Sequence, residues 1–326
     1  MYSIHPSLLQ LAMNNSPETL HLRHGSSECV ICPEIGGTIV AWAVDGQNML
    51  RRTDSQALQS RDPLRFSSFP LVPFSNRIGF GLFHWMGEEI GIDPNFSPEP
   101  HAIHGIGWKS VWDAERISEA EIVMRYHHKR DSRWPWSFSA TQQVRLDGES
   151  LYLKLEAFNL SEECAPLAFG HHPYFDQHGA FLQFDAKHVL MNDHLGLPTH
   201  MLSPEGSYDF RDGESVTGKN IDHCYADWGG VAKILWNDRP LGLHIESNMP
   251  AAVLYIPQYG ESFCFEPVPH INNSLNRPAD EPVMPTVPSG GSYRSHITLS
   301  AVPAHSLLQP KSESTCFAKF CLLPLH

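Results

Sequence analysis

Apolar and polar side chains alternate with a period of two along most of this chain, and the 3.6-residue period of an amphipathic helix is scarce. Between 151 and 160 the sequence reads Leu-Tyr-Leu-Lys-Leu-Glu-Ala-Phe-Asn-Leu. Leu151, Leu153 and Leu155 face one way and Tyr152, Lys154 and Glu156 the other, which is the signature of a half-buried strand. Stretches 121–126, 139–146, 241–246, 251–256 and 293–299 repeat the pattern, and clusters of Gly, Pro, Asn and Asp between them read as turns. Helical stretches are short, with 7–13 and 54–58 the best candidates. Many strands at close spacing, with 26 prolines and 23 glycines, predict an all-β protein, a large antiparallel β-sandwich with few short helices. No composition break marks a linker and no repeat stands out, so 1–308 reads as a single domain. Residues 309–326 read as a C-terminal tail or extension.

Composition narrows the partners. The chain has 326 residues, ample to bury a core. Its formal net charge is -13, from 23 Lys and Arg against 36 Asp and Glu, so a nucleic-acid backbone meets the wrong field. No apolar stretch approaches the roughly 20 residues of a membrane helix, and Pro6, Asn14, Asn15 and Pro17 break up the start, where no signal peptide is evident. Seven scattered cysteines read as free thiols in a reducing compartment, with the cytoplasm as the expected location. Cys29 and Cys32 have metal-ligand spacing but lie in Glu-Cys-Val-Ile-Cys, a strand pattern that points them to opposite faces.

Candidate chemistry centres on two distant motifs. Phe263-Cys264-Phe265-Glu266-Pro267 places a glutamate in an apolar run, where lost solvation raises a carboxyl pKa and suits it to act as a base. Gly170-His171-His172-Pro173-Tyr174-Phe175 offers a histidine. In an extended chain His171 and His172 point to opposite faces, so one of them enters a given cleft. Taken singly, the other motifs read first as structural. Arg77, in Asn76-Arg77-Ile78-Gly79, either clamps a loop carboxylate or binds hydroxyls. His101 and His104 are spaced as in metal loops, but no third ligand is near in sequence, and a satisfied loop histidine reads as well. Asp222, before His223, fits a turn.

In content and order these motifs resemble the aldose 1-epimerase (galactose mutarotase) family. The resemblance runs from about Gly36 to Ser300 and begins with Ile35-Gly36-Gly37-Thr38-Ile39. It implies a galactose mutarotase-like β-sandwich with an open cleft, an aldose as substrate, and neither cofactor nor metal. By matching motifs, Glu266 is the general base and His172 the general acid, while Asn76, Arg77, His104 and Asp222 hold sugar hydroxyls. The implied activity interconverts α and β anomers by acid-base opening and closure of the ring. Where galactose-processing members have a glutamine, Val253 stands, which leaves the aldose open. Sugar phosphates are substrates elsewhere in the family, and here Arg51, Arg52, Arg61 and Arg65 share one early stretch. Two alternatives have the same residues to work with: a sugar-binding module without chemistry, which has no need of both His172 and Glu266, and a glycoside hydrolase using Asp222 and Glu266, which leaves the histidine idle. If the acid and base share a cleft, their opposite charges pull the two pKa values apart, glutamate down and histidine up, while burial pushes each the other way.

Overall fold

A computed structural model of the chain describes residues 17–277 and 283–307. The expected helix at 7–13 and the extension at 309–326 lie outside these residues. The described chain is overwhelmingly antiparallel strand, with two short helices, Ser55–Ser60 and Ala304–Leu307. The first of these corresponds to the stretch expected at 54–58. Asp54 is its N-cap, accepting a hydrogen bond from the Ala57 N–H at 2.7 Å.

Most strand pairings follow one path that doubles back on itself, with Ala180–Asn192 along the other edge of Ile221–Trp236. One half runs Asp113–Ser118, Glu121–His128, Phe138–Asp147, Ser150–Asn159, Ser292–Pro303, Leu241–Ser247 and the later part of Ile221–Trp236. The other half contains Leu20–His24, Ser27–Cys32, Thr38–Val44, Ser68–Leu71, Gly170–Asp176, Ser262–Val268, Ala251–Ile256 and the early part of Ile221–Trp236. The 16-residue strand Ile221–Trp236 joins the halves, pairing first with Ala251–Ile256 and then with Leu241–Ser247. It turns between them at Gly229 and Gly230. Gly230 has φ 76°, and a Cβ there would approach the Ser247 carbonyl oxygen to 3.0 Å, so only glycine fits without strain. Strands that change sheet at such bends make the corners of stacked sheets.

Alternation along each strand decides what fills the space between the halves. Phe138, Ala140, Val144 and Leu146 point inward from one half, and Tyr225, Leu254, Phe263 and Phe265 from the other, all within one buried cluster. Each large side chain so buried contributes about 1.5–3 kcal/mol relative to exposure. Some polar groups inside are paired in chains. Gln142 donates to the Gly37 carbonyl at 2.8 Å and its Oε1 lies 3.2 Å from His171 Nε2, while Ser68 bonds His171 Nδ1. Cys29 and Cys32 diverge as expected, into two different buried clusters.

Ala251–Ile256 departs from a half-buried pattern, because all its side chains except Tyr255 are buried. The reason is a second, smaller apolar cluster on the opposite face of the same strands, containing Phe69, Leu71, Trp108, Tyr174, Cys224, Ala251, Val253, Cys264 and Val268. Loops fold over that face and cover part of it.

Candidate active site

Strand register builds the site on this second face. His172 and Tyr174 leave Gly170–Asp176 on one side, and Tyr174 is paired with Cys264 of Ser262–Val268. Continuing that register sets His172 across from Glu266. Glu266 is paired with Val253, Val253 with Cys224, Cys264 with Tyr255, and Tyr255 with Asp222. The period of two therefore delivers His172, Glu266 and Asp222 to one face, while His171, on the opposite parity, enters the inter-sheet core.

His172 Nε2 lies 3.2 Å from Glu266 Oε1, and both side chains are buried, at 8% and 2% exposed. The imidazole is sandwiched between Phe69 (ring centroids 4.5 Å apart, 24° between planes) and Tyr174 (4.7 Å, 29°). Burial pushes the Glu266 carboxyl well above its ordinary value, Asp222 adds to the push, and Arg77 opposes it. Burial likewise pushes His172 well below its ordinary value, and the neighbouring His104 and Arg51 act in the same sense. Of the two opposed effects expected from sequence, desolvation wins. The two groups titrate as a unit, and between its two steps the pair holds one proton.

The remaining predicted residues stand around this pair. Arg77, in the short strand Arg77–Ile78, presents Nε and Nη2 to Glu99 Oε1 at 3.2 and 2.9 Å, and Nη1 to Asp222 Oδ2 at 3.5 Å. The carboxylate clamp foreseen for this arginine therefore exists, and one guanidinium edge joins Asp222. The Asp222 side chain is the most open of the group, at 39% exposed. Asn76 Oδ1 accepts from the Arg77 backbone N–H at 2.9 Å. The Asn76 N–H donates to His104 Nδ1 at 3.2 Å, and the His104 N–H returns to the Asn76 carbonyl at 3.0 Å. That bond assigns the neutral tautomer with the proton on His104 Nε2. Burial, helped by Arg77, lowers the His104 pKa to about 3, so the ring is a neutral donor. Its neighbour Gly105 has φ 68°, and a Cβ there would meet the Val72 carbonyl oxygen at 2.2 Å, which explains the His-Gly pair.

His101 does not join the group. Its Nδ1 accepts from the Phe80 N–H at 2.9 Å and its Nε2 donates to the Leu195 carbonyl at 3.2 Å, so both ring nitrogens serve the loops. Three of the four early arginines are also engaged locally. Arg61 pairs with Glu34 and Arg65 with Asp54. Arg51 lies 3.7 Å over the Tyr174 ring and donates to the Leu64 and Phe66 carbonyls. Sequence reasoning missed Glu99, Phe69 and Tyr255. Glu99 sits in an irregular loop with no periodic signal. Phe69 and Tyr255 were readable in principle, because each lies on a strand at the parity that faces His172 or Asp222.

Comparison with known proteins identifies the family and the fold. Residues 18–300 match the model of the aldose 1-epimerase family, and the chain belongs to that family. Protein YphB of Escherichia coli (strain K12), itself uncharacterized, is 26% identical over 290 residues, covering 85% of this chain and 97% of YphB. A crystal structure from Escherichia coli K12 superimposes with TM-score 0.81 at 24% identity, covering 88% of this chain and 99% of the other. Galactose 1-epimerase from Lactobacillus acidophilus NCFM superimposes with TM-score 0.73 at 20% identity, covering 88% and 95%. At these identities the structural likeness shows the fold, which is galactose mutarotase-like as the sequence motifs implied. Among the described residues, no helix is long and apolar enough to cross a membrane, and five cysteines are free thiols.

Proposed function

We propose that the protein interconverts the α and β anomers of a free aldose, with His172 and Glu266 as the proton-transfer pair. The observation that carries this reading is the 3.2 Å contact between His172 Nε2 and Glu266 Oε1 on the sheet face that bears Asp222, with Arg77 and His104 brought beside it by a covering segment.

The chemistry needs one mobile proton and two sites for it. When the sugar lies on this face, the Glu266 carboxylate takes the proton of the C1 hydroxyl while protonated His172 delivers one to the ring oxygen, and the C1 to ring-oxygen bond breaks. That state is the one in which the pair's single proton sits on the imidazole, across their short contact from the carboxylate. Rotation about C1–C2 turns the other aldehyde face to the C5 hydroxyl. Closure returns the proton to His172, and Glu266 gives its proton to O1. The pair begins and ends with one proton. Arg77, His104 Nε2–H, Asn76 and Asp222 are assigned to the sugar hydroxyls, a mixture of donors and acceptors suited to an uncharged polyol. Val253, opposite Glu266 and buried, offers no polar contact, so recognition on that side is apolar. A positioned acid and base typically contribute about 10² to 10⁴-fold each.

The test is polarimetry on freshly dissolved α-D-glucose and α-D-galactose. Decay of rotation faster than the buffer rate, in proportion to protein, is expected for at least one aldose. Decay at the buffer rate for every free aldose tried counts against the proposal.

A further inference from the structure

The proton-transfer reading uses two of the three ionisable groups gathered at the foot of the site. The third is Cys264. A ring nitrogen of His172, the sulfur of Cys264 and a carboxylate oxygen of Glu266 lie within 4.8 Å of one another, and all three side chains are buried. The arrangement follows from register. Cys264 and Glu266 are two apart on one strand and share a face, and the strand bearing His172 runs alongside. Glu266 Oε2 and His172 Nδ1 have no hydrogen-bond partner, which is unusual for buried polar atoms. We propose that His172, Cys264 and Glu266 form a binding site for a soft divalent cation, zinc above all, whose occupation switches the proton-transfer pair off.

Geometry and donor chemistry both favour this. Tetrahedral zinc, with bonds of about 2.0–2.3 Å to nitrogen, oxygen and sulfur, sets neighbouring donors about 3.3–3.7 Å apart. The His172–Glu266 contact at 3.2 Å is slightly shorter than that spacing and opens to it with a small side-chain shift, and side-chain rotation brings the sulfur in from within the 4.8 Å limit. Imidazole, thiolate and carboxylate together select zinc over magnesium or calcium, which prefer all-oxygen shells. Three protein ligands leave a fourth position for water. On binding, the Cys264 thiol and the His172–Glu266 pair each release a proton to solvent. The lone pairs that move protons become metal bonds, so ring opening stops. The cation site stands on its own residues, whereas its inhibitory effect rests on the function proposed above.

The experiment is calorimetric titration of ZnCl2 into metal-free protein, paired with mutarotation rates over the same zinc range. Wild type should show one Cys264-dependent site, a rate that falls as that site fills, and recovery on adding EDTA, with MgCl2 doing neither. Cobalt-loaded wild type should show thiolate charge-transfer absorption. Cys264→Ser and Cys264→Ala should lose at least about tenfold in zinc affinity, the scale seen when a metal's coordination is perturbed, and keep their zinc-free rate. Zinc affinity unchanged in both variants, or no saturable binding by wild type, overturns the proposal. If neither variant folds, the cobalt spectrum decides, and absence of the thiolate band overturns it. Mutarotation that persists at saturating zinc refutes the switch. Cys264-dependent zinc binding in a protein that anomerises no sugar upholds the site and counts against the proposed function alone.

Discussion

Replacing Glu266 by glutamine isolates the proton-transfer role from everything else the side chain does. The amide has the carboxyl's shape, and its oxygen can still meet His172 Nε2 at the observed 3.2 Å, but it cannot take a proton. Loss of a general base costs about 10² to 10⁴-fold in kcat, equivalent to about 3 to 5.5 kcal/mol of barrier. Sugar binding, carried by Arg77, His104, Asn76 and Asp222, should survive. Stability gives an internal control with a definite sign. Burial holds Glu266 protonated above its ordinary value, so above that value the folded state binds more protons than the unfolded state, and stability falls as pH rises. Glutamine has no such dependence. The melting temperature of the variant should therefore gain on wild type between about pH 4 and about pH 8. Polarimetric kcat, a sugar-binding isotherm and thermal melts at the two pH values together make the assay. Retention of more than about a tenth of wild-type kcat, against the loss expected for a base, refutes the assignment.

Four further outcomes follow from the same geometry. The rate should form a bell in pH, with the acid limb set by the His172–Glu266 pair taking up a second proton and the alkaline limb by the pair losing its only one; a profile flat from acid to alkaline pH, or a bell with both limbs intact in His172→Asn, contradicts the pair. Arg77→Lys loses the fork on Glu99 and the contact to Asp222, and steady-state kinetics should show KM rising about tenfold, the effect of one charge-assisted bond, with a smaller change in kcat. His171→Asn cuts the Ser68–His171–Gln142 chain, so urea unfolding should show a loss of about 1–3 kcal/mol while kcat per folded molecule is kept. Wild-type stability should fall as pH drops below about 6.5, because buried His104, His171 and His270, with pKa values lowered to about 3, 3 and 4, stay neutral in the fold while the unfolded chain takes up their protons; each contributes up to about 1.4 kcal/mol per pH unit, measurable as urea midpoints.

Much of this was legible in the chain because a strand's side chains have only two directions. The alternation at 151–156 and 139–146 identified half-buried strands, and it also set His172 and His171 on opposite faces, where the structure has them. Motif order linked residues as distant as Arg77 and Glu266 to one family. The short-range code stopped at cross-strand register. The unbroken apolar run of Ala251–Ile256 is compatible with cover on both faces, but what supplies the second cover, loops from distant parts of the sequence, is not written in it. Glu99 reaches Arg77 from an irregular loop and leaves no periodic trace. The balance between attraction and desolvation in the His172–Glu266 pair was open for the same reason: it depends on Phe69 and Tyr174 closing over the imidazole from two different strands.

The most direct measurement is anomer exchange in a C1-labelled aldose, followed by carbon NMR exchange spectroscopy at equilibrium with wild type, Glu266→Gln and His172→Asn. The account predicts cross-peaks between the α and β C1 signals that grow with wild-type concentration and fall by at least about a hundredfold in either variant, the scale of losing one acid or base. Exchange that wild type does not accelerate, or that either variant accelerates equally well, would contradict it.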